Sequence, residues 1–436
     1  MIAYRSLRVA LLGGGSVGAQ VARALLENAD EFANRVGARL ELTGIAVRDV
    51  DAPRSVALPP ELFTTDAERL ILGADVVIEL MGGIEPARSL VLMALASGAD
   101  VVTGNKALLA THGPELFAAA EQVGAQLYYE AAVGGAIPII RPLRESLAGD
   151  RVRRILGIVN GTTNYVLDRM DTHGEPLAQV LAEAQRLGLA EADPTADVDG
   201  YDAAQKAAIL AGLAFHIDVP VESVHREGIR SVTPDQIASA AKAGYVVKLL
   251  AICERLTDAE SGEDGVSVRV YPAMVPREHP LAAVRGANNA VFVEAELAGS
   301  LMFYGAGAGG VETSSAVLGD LVSLARRHVV GGPGVIPSKH ADLPVLPIGR
   351  VLTRYAVTLQ VKDEPGVLAA IAQVFADHGV SVETVEQSLV RQGVDGAVLV
   401  IGTHRAREAD LAATVEALTA HRVVARVASV LRVEGA

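Results

Sequence analysis

Apolar segments alternate with helical patterns along the first third of the chain. The segment that starts at Leu7 reads LRVALLGGGSVGAQVARALLEN, which predicts a strand, a glycine turn and a helix. Four more apolar stretches predict further strands of the same kind: ELTGIAVRD (41–49), ADVVIELMGG (74–83), ADVVTGN (99–105) and AQLYYEAAVGG (125–135). Because strands that alternate with helices form parallel sheets, this part predicts a doubly wound parallel sheet.

The pattern changes after residue 135 and again near residue 330. In the middle part, the strand candidates RRILGIVNG and VSVRVYPAMV are separated by helical patterns near 176–188, 201–215 and 234–243, which predicts a mixed α/β domain. Residues 328–350 are rich in glycine and proline and predict a linker. The remainder predicts a compact βαββαβ unit of ferredoxin-like type. We therefore expect three domains, at 1–135, 136–330 and 351–436.

Composition narrows the class of protein. The 436 residues are 50% hydrophobic and 21% charged, which is typical of a folded chain of about two to four domains. The net charge of −14 disfavours nucleic acid and anionic lipid, and no apolar run reaches the roughly 18 residues of a membrane span. With a single cysteine, Cys253, and no signal-peptide layout in MIAYRSLRVALLGGG, we expect a cytoplasmic protein whose ligands are small molecules.

The glycine turn carries the first candidate site. GGGSVG matches GxGxxG between a strand and a helix, the context in which a helix N-terminus binds a pyrophosphate. A tight turn in an α/β protein that binds no nucleotide would look the same. Arg48, at the end of the next strand, could face a 2′-phosphate and favour NADP over NAD, or it could be a solvated surface residue. The predicted cofactor residues in the turn are Gly13, Gly15, Ser16, Val17 and Gly18.

Two lysines are candidates for the chemistry. Lys106 follows a strand at the carboxyl end of the predicted sheet, where such sheets bind ligands, although a solvent lysine at a helix start fits equally. Lys206 lies four residues after Asp202 on a helix that is otherwise almost entirely apolar, which argues against a mere surface ion pair or helix cap. A partly desolvated lysine near carboxylates suits proton transfer, with Glu191 and Asp202 as its partners. The same acids suit an amino group on the substrate.

Six stretches resemble the homoserine dehydrogenases, which interconvert L-homoserine and L-aspartate 4-semialdehyde with NAD(P). They occur in order across residues 7–326: GGGSVG, GNKALLA, YYEAAVGGAIPII, GIVNGTTNYVLDRM, GLAEADPTADVDGYDAAQKAAILA and FYGAGAGG. The resemblance implies a Rossmann-type NAD(P)-binding domain, a catalytic and dimerisation domain, and a homodimer or homotetramer. It also implies a place in threonine, methionine and isoleucine biosynthesis. Either nicotinamide coenzyme is compatible with these motifs.

The resemblance also assigns roles to single residues. At the matching positions, Lys206 is the proton donor to the carbonyl oxygen, and Glu191 and Asp202 hold the substrate amino group. Lys106 matches a lysine near nicotinamide and substrate. Further positions that approach the cofactor are Gly188 and Gly305.

Two more motifs come from the resemblance. EAAVGGAI matches a sodium-binding loop formed by Glu130 and the backbone carbonyls of Val133, Gly135 and Ile137, and hard cations prefer such oxygen ligands. A glycine-rich structural turn would look the same. NGTTN, at residues 160–164, could line the site with its hydroxyls and amides, or cap a helix that begins at Tyr165.

The last part of the chain, residues 355–433, resembles an ACT domain. Its DEPGVLAAIAQVFADHGVSVETVEQ contains Gly366 at a strand-to-helix turn, where the backbone can approach a ligand. Such domains bind amino acids, so L-threonine is the regulator to expect. The competing hypotheses are an amino-acid sensor without catalysis and a dehydrogenase of a related amino alcohol. From the chain length we expect no fused aspartate kinase.

Overall fold

The computed structural model describes residues 5–54, 56–257, 262–331, 339–389 and 396–435. Part of the predicted linker, residues 332–338, lies outside the described residues. The chain divides into two compact units. The first unit comprises Met1–Gly161, Gln205–Glu222 and Asn288–Asp342, and the second comprises Thr162–Ala204, Ser223–Ala287 and Leu343–Ala436. The division into three domains that the sequence predicts remains a prediction about boundaries.

Helices and strands are numbered in chain order. The helices are α1 (Ser16–Glu27), α2 (Ala29–Val36), α3 (Ala67–Leu72), α4 (Ala87–Ala96), α5 (Lys106–Val123), α6 (Gly161–His173), α7 (Leu177–Arg186), α8 (Thr195–Val198), α9 (Tyr201–Phe215), α10 (Pro234–Lys242), α11 (Gly310–Val330), α12 (Val367–Asp377) and α13 (Glu408–Ala420). The strands are β1 (Arg5–Leu12), β2 (Ala38–Ala46), β3 (Phe63–Thr64), β4 (Val76–Glu79), β5 (Asp100–Thr103), β6 (Leu127–Tyr128), β7 (Val152–Ile158), β8 (His225–Arg226), β9 (Tyr245–Thr257), β10 (Asp264–Pro276), β11 (Asn288–Ala295), β12 (Gly299–Ala306), β13 (Leu352–Val361), β14 (Val382–Leu389), β15 (Ala397–Thr403), β16 (Ala406–Arg407) and β17 (Val424–Val433).

A six-stranded parallel sheet is the core of the first unit. Its order, β3-β2-β1-β4-β5-β6, is the Rossmann order, and all five pairings are parallel. The near-continuous apolar strands predict burial on both faces. Successive residues of a strand point to opposite faces, and Val9, Ala10 and Leu11 of β1 are all fully buried. The predicted doubly wound sheet is confirmed. The first unit also contains the antiparallel arrangement β12-β11-β7.

The second unit contains mixed α/β structure and the ACT domain. β9 and β10 form a long antiparallel pair. β10 also pairs in parallel with β17, over two residue pairs. The ACT sheet has the order β17-β13-β15-β14, all antiparallel. Its core consists of alternate residues of these strands and the apolar faces of α12 and α13, including Leu359, Ile371 and Leu418. The predicted ferredoxin-like unit is thus confirmed as an ACT fold.

Element boundaries follow the sequence patterns unevenly. α9 coincides with the predicted helix 201–215, and α7 and α10 lie within one or two residues of theirs. The strand predicted at 125–135 is wrong beyond Tyr128, because Glu130 begins a short 3₁₀ turn and its carboxylate binds backbone amides. The strands β9, β11 and β12 were not predicted. No helix in the described ranges has the length and apolarity needed to cross a membrane.

Candidate active site

The glycine turn between β1 and α1 has the shape that a pyrophosphate site requires. Gly13 adopts φ +107°, and a Cβ there would lie 2.7 Å from the Leu80 carbonyl oxygen. A Cβ on Gly18 would lie 2.0 Å from the Gly13 carbonyl oxygen, so the helix can pack this closely only with glycine. Gly15 is the N-cap of α1 and faces open space. Because no acidic residue lies in the first turn of α1, its amides and dipole suit an anion.

The two arginines after β2 differ in environment. Arg48, the predicted phosphate ligand, is exposed. Arg54, which the sequence analysis missed, is half-buried beside the glycine turn, and its Nε lies 3.6 Å from where a Gly14 Cβ would be. Its guanidinium donates to the carbonyl oxygens of Val50 at 2.9 Å and Ala52 at 2.8 Å and stacks on the Phe63 ring at 4.0 Å. Arg54 therefore shapes the loop, whereas Arg48 remains open to solvent.

Lys106 is the first residue of α5 and is half-buried. The preceding Asn105 caps the helix, since its Oδ1 accepts from Leu108 N at 3.1 Å, and its Nδ2 donates to Gly83 O at 2.6 Å. Asn105 N donates to the Thr103 hydroxyl at 3.0 Å, and that hydroxyl donates to Glu79 at 2.6 Å. Lys106 thus begins a helix that is tied to the carboxyl ends of β4 and β5.

Lys206 lies on α9 with only 9% of its surface exposed. Its Nζ donates to the carbonyl oxygen of Val159, directly after β7, at 2.7 Å. The helix around it is apolar, with Ala203, Ala207 and Leu210 fully buried or nearly so. The prediction that α9 is a buried helix is confirmed, so Lys206 is held in a fixed direction within a desolvated setting.

The substrate carboxylates predicted in the second unit occupy two different environments. Asp202, in the first turn of α9, is 7% exposed. Glu191 is exposed and follows Gly188, which has φ +73° and open space around its Cβ position. The loop between Gly188 and Glu191 is held against α6, because the Thr162 hydroxyl donates to Leu189 O at 2.7 Å.

The NGTTN motif does not cap a helix at Tyr165, because α6 already begins at Gly161. Its side chains instead make tertiary hydrogen bonds. Asn164 Nδ2 donates to Gly286 O at 2.9 Å, and its Oδ1 accepts from Lys248 Nζ at 2.9 Å. Lys248 is 1% exposed, and burial lowers its pKa to about 8. The motif therefore ties α6 to β9 and to the loop before β11.

The Glu130 carboxylate, predicted as part of a sodium loop, is fully buried and surrounded by donors. Its oxygens accept from Ile139 N at 2.5 Å, Ile140 N at 2.7 Å, and the backbone and Nε of Arg141 at 3.0 and 2.9 Å. These donors compensate its charge, so a cation here would be held by backbone carbonyls. In the described part of the chain, no cluster of three or more His, Cys, Asp or Glu side chains could hold a metal ion.

Asp320 on α11 completes this buried group. Its Oδ2 accepts from Glu130 N at 2.6 Å, and it is 1% exposed. Burial and the neighbouring Glu130 charge raise the pKa of Asp320 to about 7, against the smaller opposing effects of the Glu130 amide and Arg141. No spacing pattern predicts this contact, because 190 residues separate Glu130 from Asp320 along the chain.

Three of the predicted stretches meet in the first unit. A Cβ on Gly310 would lie 2.8 Å from Ser16 O, which places the loop after β12 against the start of α1. Gly135, in the predicted cation loop, packs so closely on Gly307 that a Cβ would lie 2.4 Å from its oxygen. Gly305 lies beside Ile137, since a Cβ on Gly305 would lie 3.4 Å from Ile137 Cγ1. The cofactor turn, the cation loop and the Gly305 loop therefore form one neighbourhood.

Comparison with protein families agrees with this geometry. The family model described as homoserine dehydrogenase matches residues 138–322, its NAD-binding domain matches 13–130, and the ACT domain matches 355–422. The homoserine dehydrogenase of Mycobacterium tuberculosis is 55% identical over 432 residues, which cover 98% of this chain and 97% of that protein. That of Corynebacterium glutamicum is 51% identical over 428 residues, covering 98% and 95%.

Two solved structures are similar over nearly the whole chain, and a third is similar over three quarters of it. The crystal structure of a homoserine dehydrogenase from Thiobacillus denitrificans superposes with a TM-score of 0.91 at 39% identity and covers 99% of both chains. The enzyme of S. aureus gives a TM-score of 0.76 at 30% identity, covering 99% and 100%. A hyperthermophilic archaeal homoserine dehydrogenase in complex with NADPH gives 0.61 at 25% identity, covering 75% and 99%.

Proposed function

The chain belongs to the homoserine dehydrogenase family of oxidoreductases, and we propose that it interconverts L-homoserine and L-aspartate 4-semialdehyde with NADP or NAD. The observation that carries the proposal is Lys206, a buried lysine on an otherwise apolar helix, whose Nζ is anchored to the backbone carbonyl of Val159. A group held in this way can meet a substrate oxygen in a constant orientation. The glycine turn supports a bound dinucleotide, which would supply the hydride.

The residues of the chain then have separate tasks. Lys206 gives a proton to the carbonyl oxygen of the semialdehyde, and takes it from the hydroxyl of homoserine in the reverse direction. Glu191 and Asp202 bind the substrate amino group through charge. Lys106, at the start of α5, contributes a positive charge beside the reacting groups. The glycine turn and the N-terminus of α1 bind the pyrophosphate, and Gly188 and Gly305 allow close backbone approach.

The experiment that tests the function compares the turnover of several substrates by the purified protein. The absorbance of the reduced nicotinamide is followed with L-homoserine at alkaline pH, with NADP⁺ or NAD⁺, beside related amino alcohols such as L-serine and L-threonine. Turnover with L-homoserine well above the others supports the proposal. Absence of turnover with both coenzymes would favour the sensor hypothesis, and preference for another amino alcohol would reassign the substrate.

The ACT domain supports regulation by an amino acid, and we infer that L-threonine is its ligand. Residues 363–366 form an exposed turn, and Gly366 caps α12 with φ +90° and open space around its Cβ position. The backbone there is accessible to a small zwitterion. A ligand regulates only if it binds two states of the enzyme unequally. Regulation in this position fits an end product of the pathway that homoserine enters.

A sodium ion and a homodimer or homotetramer complete the proposal. The backbone carbonyls of Val133, Gly135 and Ile137 are of the kind that hard cations prefer, and the Glu130 position would contribute its carbonyl because its carboxylate already has four donors. Thermal unfolding in sodium and in tetramethylammonium chloride at equal ionic strength tests the site, since a specific ion raises the melting temperature. Analytical ultracentrifugation gives the assembly.

A further inference from the structure

A bidentate ion pair joins the last strand of the ACT domain to the segment that follows β8. Arg432 on β17 is mostly buried, and its two terminal nitrogens donate to Glu227 at 2.9 and 2.8 Å. Its Nε donates to a second carboxylate, Glu408, at 2.9 Å, and Tyr355 donates to the same Glu408 at 2.8 Å. Arg432 therefore keeps one partner inside the ACT domain when the other is removed.

The charge of Glu227 is firmly held in this position. Burial would raise the pKa of Glu227, but the hydrogen bonds from His225 and Arg432 and the Arg432 charge outweigh it and lower the pKa to about 2. The backbone is fixed as well, because Glu227 N donates to Val270 O on β10 at 2.8 Å. Both ends of Glu227 are thus anchored before the chain reaches Gly228.

The next residues press against the turn that precedes α9. A Cβ on Gly228 would lie 2.3 Å from Val198 O and 2.5 Å from Asp199 Cα, so the two backbones touch. Ile229 N donates to Val198 O at 2.8 Å. The contact needs glycine because of space alone, since the backbone of Gly228 is not among those with positive φ.

Two arginines of the same segment hold Asp199 from both sides. Arg226 donates to the Asp199 carbonyl oxygen, and its guanidinium lies 3.5 Å above the Tyr201 ring. Arg230 Nε donates to the Asp199 carboxylate. The turn itself passes through Gly200, with φ +80°, into α9. Asp202 is the second residue of that helix, so the position of the turn determines the position of the Asp202 carboxylate.

We propose that the Glu227–Arg432 pair is a positioning element for Asp202, through which the ACT domain acts on substrate binding. The inference rests on the proposed function, in which Asp202 binds the substrate amino group. A shift of β17 would move Glu227, and the close contact of Gly228 with Val198 and Asp199 passes that shift to the start of α9. Packed interfaces of this kind move as units because they leave no free volume.

The first test is Glu227→Gln, which keeps the shape of the side chain and leaves Arg432 with Glu408. We expect the KM for L-homoserine to rise between about 2-fold and 30-fold, the range produced by mutations along such networks, with kcat and the KM for the coenzyme nearly unchanged. The matched control is Glu254→Gln, which removes a buried partner of Arg269 in the same unit, bonded at 2.7 Å, and leaves in place the hydrogen bonds of Glu227 to Arg432 and of Arg226 to Asp199. An equal rise in the control would overturn the proposal.

The second test is Gly228→Ala, which forces the backbone contact apart. We expect the same selective rise in the KM for L-homoserine, whereas Gly149→Ala, an exposed glycine with open space around it, stays at the wild-type value. If the wild type turns over L-homoserine and neither variant changes its KM, the positioning proposal is wrong and the function stands.

A readout that needs no turnover separates the two proposals. Hydrogen exchange of the amides at 199–204, which include the Ala204 N to Gly200 O bond of 2.9 Å, should be faster in Glu227→Gln than in the wild type. If the wild type does not turn over L-homoserine and exchange is nevertheless faster in Glu227→Gln than in the wild type, the positioning element is supported and the proposed substrate is wrong. Unchanged exchange in both variants would contradict it whatever the activity.

Discussion

The Thr103 hydroxyl donates a 2.6 Å hydrogen bond to the Glu79 carboxylate between the carboxyl ends of β5 and β4. Glu79 is fully buried, and its other oxygen accepts from Met81 N at 2.7 Å and from Gly82 N at 3.3 Å. Burial raises its pKa, although these hydrogen bonds oppose the effect. The pair therefore fixes both the turn after β4 and the Asn105 cap from which Lys106 projects.

Thr103→Val tests this relationship, because valine keeps the shape and loses the hydroxyl. Glu79 would lose a donor and Asn105 N an acceptor, so the free energy of unfolding should fall by about 1–3 kcal/mol. The value of kcat/KM should fall as well, because Lys106 follows the disturbed cap. Urea unfolding and steady-state kinetics measure both effects. Thr103→Ser keeps the hydroxyl and should remain close to wild type; equal losses in both variants would refute the role of the hydrogen bond.

Lys206→Ala should lower kcat by roughly 10²-fold or more, the scale of a general acid and base. Lys206→Arg should be just as inactive, because a guanidinium keeps its proton at any ordinary pH. An active arginine variant would mean that only positive charge is needed. The control is Lys242→Ala, an exposed lysine in the last turn of α10, which should keep full activity. Fluorescence titration of the coenzyme checks that the variants remain folded.

Arg48 and Arg54 should respond differently to the choice of coenzyme. A charged hydrogen bond to the 2′-phosphate contributes about 1.5–3 kcal/mol, so Arg48→Ala should raise the KM for NADP⁺ by about 10-fold or more and leave that for NAD⁺ unchanged. Arg54→Ala should raise both equally, because Arg54 holds loop carbonyls and the Phe63 ring. If Arg48→Ala affects both coenzymes alike, Arg48 has no role in selecting NADP.

The sequence predicted local features better than contacts between distant residues. Helix α9 was found because residues 201–215 are almost entirely apolar apart from a few polar positions at helical spacing, and the parallel sheet because strands and helices alternate. β9 was missed because a long apolar run does not distinguish a buried strand from a helix. The antiparallel β11 and β12 were likewise overlooked.

The candidate site shows the same division. Lys106, Asp202 and Lys206 stand in motifs or at helical spacing and could be named from the sequence. The hydrogen-bonded pairs around these residues do not stand in motifs or at helical spacing. Glu79 and Thr103 are 24 residues apart in the sequence, and Glu227 and Arg432 are 205 apart. A carboxylate that ends the otherwise apolar strand VVIE was the one available signal for Glu79. Such contacts depend on strand order, which the residue types alone do not state.

L-Threonine should change the rate, the substrate affinity or the assembly of the wild type if it binds the ACT domain. Gly366→Ala places a side chain at φ +90°, which costs about 1–2 kcal/mol, so the threonine concentration for half effect should rise by roughly 10-fold. Gly379→Ala is the matched control, with φ +69° just beyond the other end of α12. A titration without effect on the wild type would reject threonine as the regulator, and equal shifts in both variants would reject the turn as its site.

The buried charge of Lys248 lowers the stability of the folded chain, and this penalty should disappear as the pH rises. Its pKa is about 8 in the folded protein and near 10.4 in an unfolded chain, so the unfolded state binds more protons between these values. Below pH 8 both states carry the charge and the full burial penalty applies. Above about pH 10.4 both are neutral and the penalty is gone. The wild type should therefore gain up to about 3 kcal/mol across this interval.

Lys248→Met isolates that gain, because methionine has a similar length and does not titrate. Asn164 and the Val284 carbonyl oxygen lose their donor in the variant at every pH, which lowers its stability by a constant amount. The difference in unfolding free energy between wild type and variant should consequently widen in favour of the wild type from pH 8 to pH 10. Urea unfolding at several pH values measures it. A difference that stays constant would mean that Lys248 titrates alike in both states, and that its burial is relieved by ionic partners such as Asp168 and Asp171.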